Sequence, residues 1–283
     1  MTSATPRLAI VTGASGGIGA ALTALIAARG IALVLLERDA QKGRAFAADV
    51  NLATPGAVRD VFAADLANHD DLRRVGAEIV ARYPAIDYLF NNAGVLTNTL
   101  QFSPNGNELH FEVNTLAALQ LVDHLRPALR QAGGATVVST SAGLASGIKT
   151  LDWDELVHPR DFAKLFGPYA RSKQALNVLT AALAAELGTD GIAIRTADPG
   201  PTRTRLTKGA GTPWWMRIFS WALPSPARSA RKLLDAAVSP AWQRRSGISI
   251  SNGKVQALPP ALADPHFQAD FLQKCRARVG ASG

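Results

Sequence analysis

Cysteine is almost missing from this chain: Cys275 is the only one in 283 residues. A single thiol cannot build an internal disulfide framework, and it fits a reducing compartment, so a cytoplasmic setting is expected. Its position in a polar C-terminal stretch argues against a nucleophile. No run of about 18 or more uncharged apolar residues occurs, so no membrane-spanning helix is expected. The N-terminal stretch MTSATPRLAIVTGAS lacks the charged start, long apolar stretch and cleavage site of a secretory signal. The histidines at 69, 110, 124, 158 and 266 have no metal-ligand spacing, so no metal site is expected. Repeats, low-complexity tracts and dividing linkers are missing as well.

Charge is present but unevenly placed. The formal net charge is +8, and residues 203–283 carry 13 Lys and Arg against 3 Asp and Glu. No helix-turn-helix, zinc-finger or aromatic-basic RNA pattern accompanies this excess, which excludes nucleic acid as the expected partner. A solvated basic surface accounts for it.

What the chain does contain is a regular alternation. Apolar β-like runs at 7–13, 31–39, 58–63, 85–94, 135–141 and 192–200 alternate with Ala- and Leu-rich helical stretches, among them 109–130 and 169–187. Near-continuous apolar strands suit a parallel sheet with helices on both faces, an α/β doubly wound Rossmann-type fold. One unit over 1–283 is expected, with a core at about 7–205 and a substrate-facing region at about 206–283.

TGASGGIG, residues 12–19, stands between the first strand and the first helix. Glycines there let the backbone turn sharply and approach a pyrophosphate, and the helix start offers free N–H groups. Nucleotide binding is the expectation. Glu37, at the end of the second strand, is placed to accept a hydrogen bond from an adenosine ribose, and its charge opposes a 2′-phosphate. Arg38 beside it would favour that phosphate. The balance favours NAD, with NADP as the second candidate.

Further motifs follow in order: NNAG (91–94), Asn114 in FEVNT, YARSK (169–173) and DPGPTRT (198–204). Together with TGASGGIG they resemble the short-chain dehydrogenase/reductase family, over about residues 7–205. The long segment before Tyr169, with Asp152, Trp153 and Asp154, looks like the retinol dehydrogenase-like and protochlorophyllide reductase-like branch. The resemblance implies that Gly13, Ser15, Gly17, Ile18 and Gly19 hold the pyrophosphate, and Glu37 and Arg38 meet the ribose. Asp65 and Leu66 would flank the adenine, and Asn91, Ala93 and Gly94 would line the cofactor groove. Pro199, Gly200, Thr202 and Thr204 would hold the nicotinamide end; Thr202 replaces the family's usual aliphatic residue. Asn114 would hold water linking Lys173 to solvent.

The chemistry needs a proton donor for a carbonyl oxygen that gains charge as hydride arrives. A tyrosine with pKa about 10 is a poor base at neutral pH, and a lysine ammonium beside it should favour the phenolate. Tyr169 and Lys173 stand one helical turn apart. Tyr169 is expected to be the general acid/base, and Lys173 to contact both it and the cofactor. Strand side chains alternate, so of the hydroxyls Ser139, Thr140 and Ser141, the first and last share a face. Ser141 is the expected substrate-orienting hydroxyl, with Thr140 as the alternative.

The apolar patch from Trp214 to Leu223 has three readings: a helix over the active site, a pocket for a lipophilic alcohol or carbonyl substrate, and a peripheral membrane contact. The resemblance leaves monomer and homodimer open, through helices 109–130 and 169–187. Reduction of a carbon–carbon double bond and a non-catalytic nucleotide-sensing scaffold are the competing functions.

Overall fold

The computed structural model describes residues 6–202, 223–243 and 245–280. Thr204 and the aromatic patch except Leu223 lie outside them. The chain runs β1 (Leu8–Thr12), α1 (Gly17–Ala27), β2 (Ala32–Glu37), α2 (Ala40–Ala53), β3 (Val58–Ala63), α3 (His69–Arg82) and β4 (Tyr88–Asn91). Then α4 (Leu109–Phe111), a π turn (Glu112–Leu116) and α5 (Ala117–Gln131) form one continuous rod. β5 (Thr136–Thr140), α6 (Trp153–Val157), α7 (Pro168–Thr189) and β6 (Ala193–Asp198) complete the part matched by the motifs. The C-terminal part adds α8 (Pro226–Val238), β7 (Ile248–Ser251), β8 (Lys254–Gln256), α9 (Pro260–Ala263) and α10 (Pro265–Gly280).

The sheet has eight strands in the order β3-β2-β1-β4-β5-β6-β7-β8. The order reverses beside β1, which opens a crevice at the carboxyl ends of β1 and β4. All neighbours are parallel except β8, which returns antiparallel to β7. That hairpin was not expected from the sequence. Asn252 and Gly253 at its tip have φ of 50° and 73°, the left-handed pair that a two-residue hairpin requires.

Strand alternation splits the core in two. Leu8 and Ile10 of β1 face Leu72, Leu119 and Leu183 of α3, α5 and α7. Ala9 and Val11 face Leu22, Val50 and Leu233 of α1, α2 and α8. Both sheet faces are therefore covered by helices, as the apolar strands implied.

α10 packs along α7. Arg276 bridges Asp123 of α5 and Glu186 of α7, and Phe271 meets Trp153 edge to face at 6.1 Å. The segment before Tyr169 and the C-terminal helix thus share one cluster over the α5–α7 face.

A buried cation ties the far side together. Arg195 of β6 is 1% exposed and donates to the carbonyls of Ala236, Trp242 and Arg245, one of them in the last turn of α8. Arg195→Met fills similar volume but leaves the buried Ala236 carbonyl and the part-buried Arg245 carbonyl without this donor, each costing about 1–3 kcal/mol when unsatisfied, while the Trp242 carbonyl keeps the Arg245 N–H. The expected loss is about 3 kcal/mol in urea unfolding, and a change below about 1 kcal/mol would show those carbonyls are met by water.

Candidate active site

The glycine loop is a cradle with little freedom. Gly13 and Gly17 have φ of +62° and +52°, and a Cβ on Gly19 would stand 2.0 Å from the Gly13 carbonyl oxygen. Asn92 clamps the loop from below: its Nδ2 donates to the carbonyls of Thr12 at 3.0 Å and Gly13 at 3.3 Å. Thr12 Oγ1 accepts from the backbone N–H of Asn92 and Ala93. The Ser15 hydroxyl is buried without a partner among the described residues. A loop this tight, held by glycines at 13, 17 and 19 and opening on the N–H groups of α1, fits a phosphate ligand.

A groove of about 990 Å³ runs from this loop across the carboxyl ends of the strands. Gly13, Gly17 and Ile18 line its floor, and Glu37, Arg38, Asp65 and Leu66 line the far end. Ala93 and Gly94 line the middle; Ser141, Tyr169, Lys173, Pro199, Gly200 and Thr202 line the near end. Ser15, Gly19, Asn91 and Asn114 do not line it. Gly19 sets how closely the loop packs. Asn91 is buried and turns its amide to Ser139 Oγ, so its neighbour Asn92 lines the groove instead. The NN doublet in the sequence did not reveal which of the two would face inward.

Glu37 is buried and accepts from the Ser15 N–H, so its carboxylate is anchored to the loop. Arg38 and Lys42 are exposed on the same rim. Thr202 lines the groove, but its hydroxyl is paired with Ser229 Oγ and the Gly200 carbonyl. Asp198, passed over in the sequence, accepts from the Gly200 N–H at 2.8 Å and from Ser251 Oγ at 2.9 Å. It needs β7, which the sequence reading lacked.

Asn114 sits in the π turn, where an uninterrupted α-helix was expected. Its Oδ1 accepts from the Val95 N–H at 2.9 Å and its Nδ2 donates to Ser172 Oγ at 3.1 Å. Thr115 Oγ1 donates to the Ser172 carbonyl at 2.7 Å. These bonds to α7 are made by residues of the bulged turn, a common device at functional sites. Gly94 separates Asn114 from Lys173: a Cβ there would lie 3.0 Å from Asn114 Oδ1 and 3.5 Å from Lys173 Nζ.

Tyr169 and Lys173 lie in the first turns of α7, which begins at Pro168. Lys173 Nζ donates to the Thr140 carbonyl at 2.8 Å and stands 5.9 Å from the Tyr169 ring centroid. Burial pushes Tyr169 up to about 12, helped by the charge of Asp198, and pushes Lys173 down to about 8. The expected lowering of the phenol by the ammonium is not met. Desolvation disfavours both charged forms, and the ammonium points at a carbonyl instead of the phenol. His110 packs edge to face on Tyr169 at 5.9 Å, with its Nδ1 at 2.6 Å from Glu108 Oε1.

The Lys173 shift has a stability consequence. Its folded pKa lies below the ordinary value, so the unfolded chain holds the extra proton between about pH 8 and pH 10.5. Stability therefore rises with pH across that window, and the full cost is present below pH 8. Lys173→Met should be more stable than the parent at pH 7 by about 2 kcal/mol, after subtracting the lost bond to Thr140. The advantage should vanish above pH 10.5. Urea titrations at pH 7 and pH 10.5 check this; equal midpoints at pH 7 would show the ammonium is well solvated.

Ser141 follows β5 and its Oγ donates to Asn177 Oδ1 at 2.8 Å. Thr140 lines the groove beside it, and Ser139 is turned away to Asn91. Asn177 escaped the sequence reading, though a lone amide in the apolar run QALNVL was a signal. The groove is also walled by Leu96, Phe102, Val113, Leu144, Leu165 and Phe166. Phe102 and Phe166 are 48% and 63% exposed at its mouth, an apolar rim that water covers poorly. Among the described residues no helix is long and apolar enough to cross a membrane, and no cluster of His, Cys, Asp and Glu could hold a metal.

A family model described as enoyl-(acyl carrier protein) reductase matches residues 13–218. A Streptomyces sp. (strain C5) protein named as a daunorubicin C-13 ketoreductase is 32% identical, over 97% of this chain and 93% of that protein. Retinol dehydrogenase 11 of Mus musculus is 27% identical, over 87% of this chain and 78% of its own. A short chain dehydrogenase of Escherichia coli CFT073, solved with NADPH, is 25% identical with a TM-score of 0.70. That likeness covers 87% of this chain and 95% of the solved one.

Proposed function

From a chain that belongs to the short-chain dehydrogenase/reductase family, on its retinol dehydrogenase-like branch, we propose an NAD(P)-dependent oxidoreductase that interconverts a lipophilic alcohol and its ketone or aldehyde. One observation carries this reading: Ser141, Tyr169 and Lys173 line the same groove as the glycine cradle, at the carboxyl ends of the strands. The apolar wall from Leu96 to Phe166 supports a lipophilic substrate. A bound nicotinamide would supply or take the hydride. Tyr169 Oη gives its proton to the carbonyl oxygen in reduction and takes one from the alcohol in oxidation. Lys173 contacts both Tyr169 and a cofactor hydroxyl, Asn114 holds water that links Lys173 to solvent, and Ser141 orients the substrate oxygen. Comparing Ser141→Ala with Thr140→Ala decides which hydroxyl does so.

NAD is the favoured cofactor, because the anchored Glu37 carboxylate opposes a 2′-phosphate. NADP is the second, because Arg38 and Lys42 flank the same rim. Residues 1–283 act as one unit, in the cytoplasm, a setting that the buried lone thiol of Cys275 supports. α10 over the α5–α7 face supports a monomer.

The test is turnover of aliphatic, steroid-like, retinoid and aromatic alcohols and ketones with NAD and with NADP, followed by absorbance of the reduced nicotinamide. Preference for small polar sugars would sink the lipophilic reading. Double-bond reduction is the second reading, since the matching family model is described by that reaction. An enone in the panel separates the two by its product, allylic alcohol against saturated ketone.

A further inference from the structure

Asn177 is buried on α7, four residues after Lys173 and eight after Tyr169, so all three point to one side of the helix. Its carboxamide oxygen collects hydroxyls. Ser141 Oγ and Thr196 Oγ1 each donate to Oδ1 at 2.8 Å, and Ser249 Oγ lies at 3.5 Å. The other end is committed as well, with Nδ2 donating to Gln174 Oε1 at 3.1 Å.

A carboxamide oxygen only accepts, and a serine hydroxyl has one proton. The Ser141 proton therefore points into α7, and its lone pairs are what it shows to the groove. The two forms of a substrate differ at this atom. An alcohol brings a proton to donate, whereas a carbonyl oxygen only accepts. To serve a carbonyl, Ser141 must turn its proton away from Asn177. The space behind it is only about 20 Å³, so about one water at most can stand in for the lost bond.

Resting on the oxidoreductase reading above, we propose that Asn177 is a positioning residue that holds Ser141 as an acceptor, so that the site binds the alcohol form in preference to the carbonyl form. Giving up one neutral hydrogen bond corresponds to a factor of about 3 to 10 in a binding constant. The bias acts on ground-state affinity and leaves the overall equilibrium untouched.

The probes are 1-(2-naphthyl)ethanol and 2-acetonaphthone. Each is measured by calorimetry in a complex that cannot react: the alcohol with NADH-loaded protein, the ketone with NAD-loaded protein. Asn177→Leu should lower the ratio of alcohol to ketone affinity by about 3- to 10-fold. Asn177→Asp keeps acceptors toward Ser141 and should hold the ratio within about 2-fold. The cofactor difference between the two complexes cancels when variants are compared. Thermal melts establish that each variant is folded, and Asn177→Ala is read in place of a Leu variant that is not. An unchanged ratio in the folded apolar variant overturns the proposal. So does an Asp variant that shifts as far as Leu, since the amide nitrogen would then face Ser141. A parent protein that binds neither probe overturns the oxidoreductase reading and this one with it; binding with an unmoved ratio overturns this one alone.

Discussion

Tyr169→Phe should lower turnover by about 1,000-fold or more while the cofactor Kd stays within about 3-fold, since a positioned proton donor contributes roughly 100- to 10,000-fold. The substitution removes one oxygen and keeps the ring. That ring is 9% exposed and held by His110 on one side and Lys173 on the other, so the helix start should keep its place. The loss should be similar in both directions, because the same oxygen gives the proton in reduction and takes it in oxidation. Steady-state rates and a cofactor titration separate chemistry from binding. Turnover at the parent level would refute Tyr169 as the acid, and a non-catalytic scaffold predicts no measurable turnover in the parent either.

Gly19→Ala should damage both cofactor binding and stability. The added methyl would meet the Gly13 carbonyl oxygen at 2.0 Å and Asn92 Nδ2 at 2.7 Å. Neither neighbour can give way easily. Gly13 holds a positive φ, and Asn92 is tied to two carbonyls of the same turn. The loop must lift off α1, and overpacking of this kind costs about 1–3 kcal/mol or somewhat more. The lifted loop should weaken the cofactor at least about 10-fold, since backbone donors a few tenths of an ångström out of place lose their alignment. Gly16→Ala is the control for stability, because a Cβ there meets nothing within 4 Å and φ is −144°. Equal melting temperatures for the two variants would remove the argument.

The main architecture was legible in the sequence for physical reasons. Strands buried on both faces need near-continuous apolar runs, and β1 and β2 carry them most fully. The glycine loop was legible because its positive φ at Gly13 and Gly17 and its close approach at Gly19 favour glycine at those positions. Tyr169 and Lys173 were legible because a helix fixes the spacing of neighbours on one face. β7 and β8 were not, since they are short and partly exposed. Their pairing with β6 is decided by tertiary contact.

The remaining features turn on orientation, which a one-dimensional pattern does not contain. Only the folded chain decides that Asn92 and not Asn91 faces the groove, and that the π turn brings Asn114 to α7. It alone sets the acid–base character of Tyr169 and Lys173, where desolvation outweighs the attraction their spacing suggested. By itself the sequence determined which chemical groups are present and which element carries each. The tertiary structure decided which way they point and how dry they are, because both depend on neighbours far along the chain.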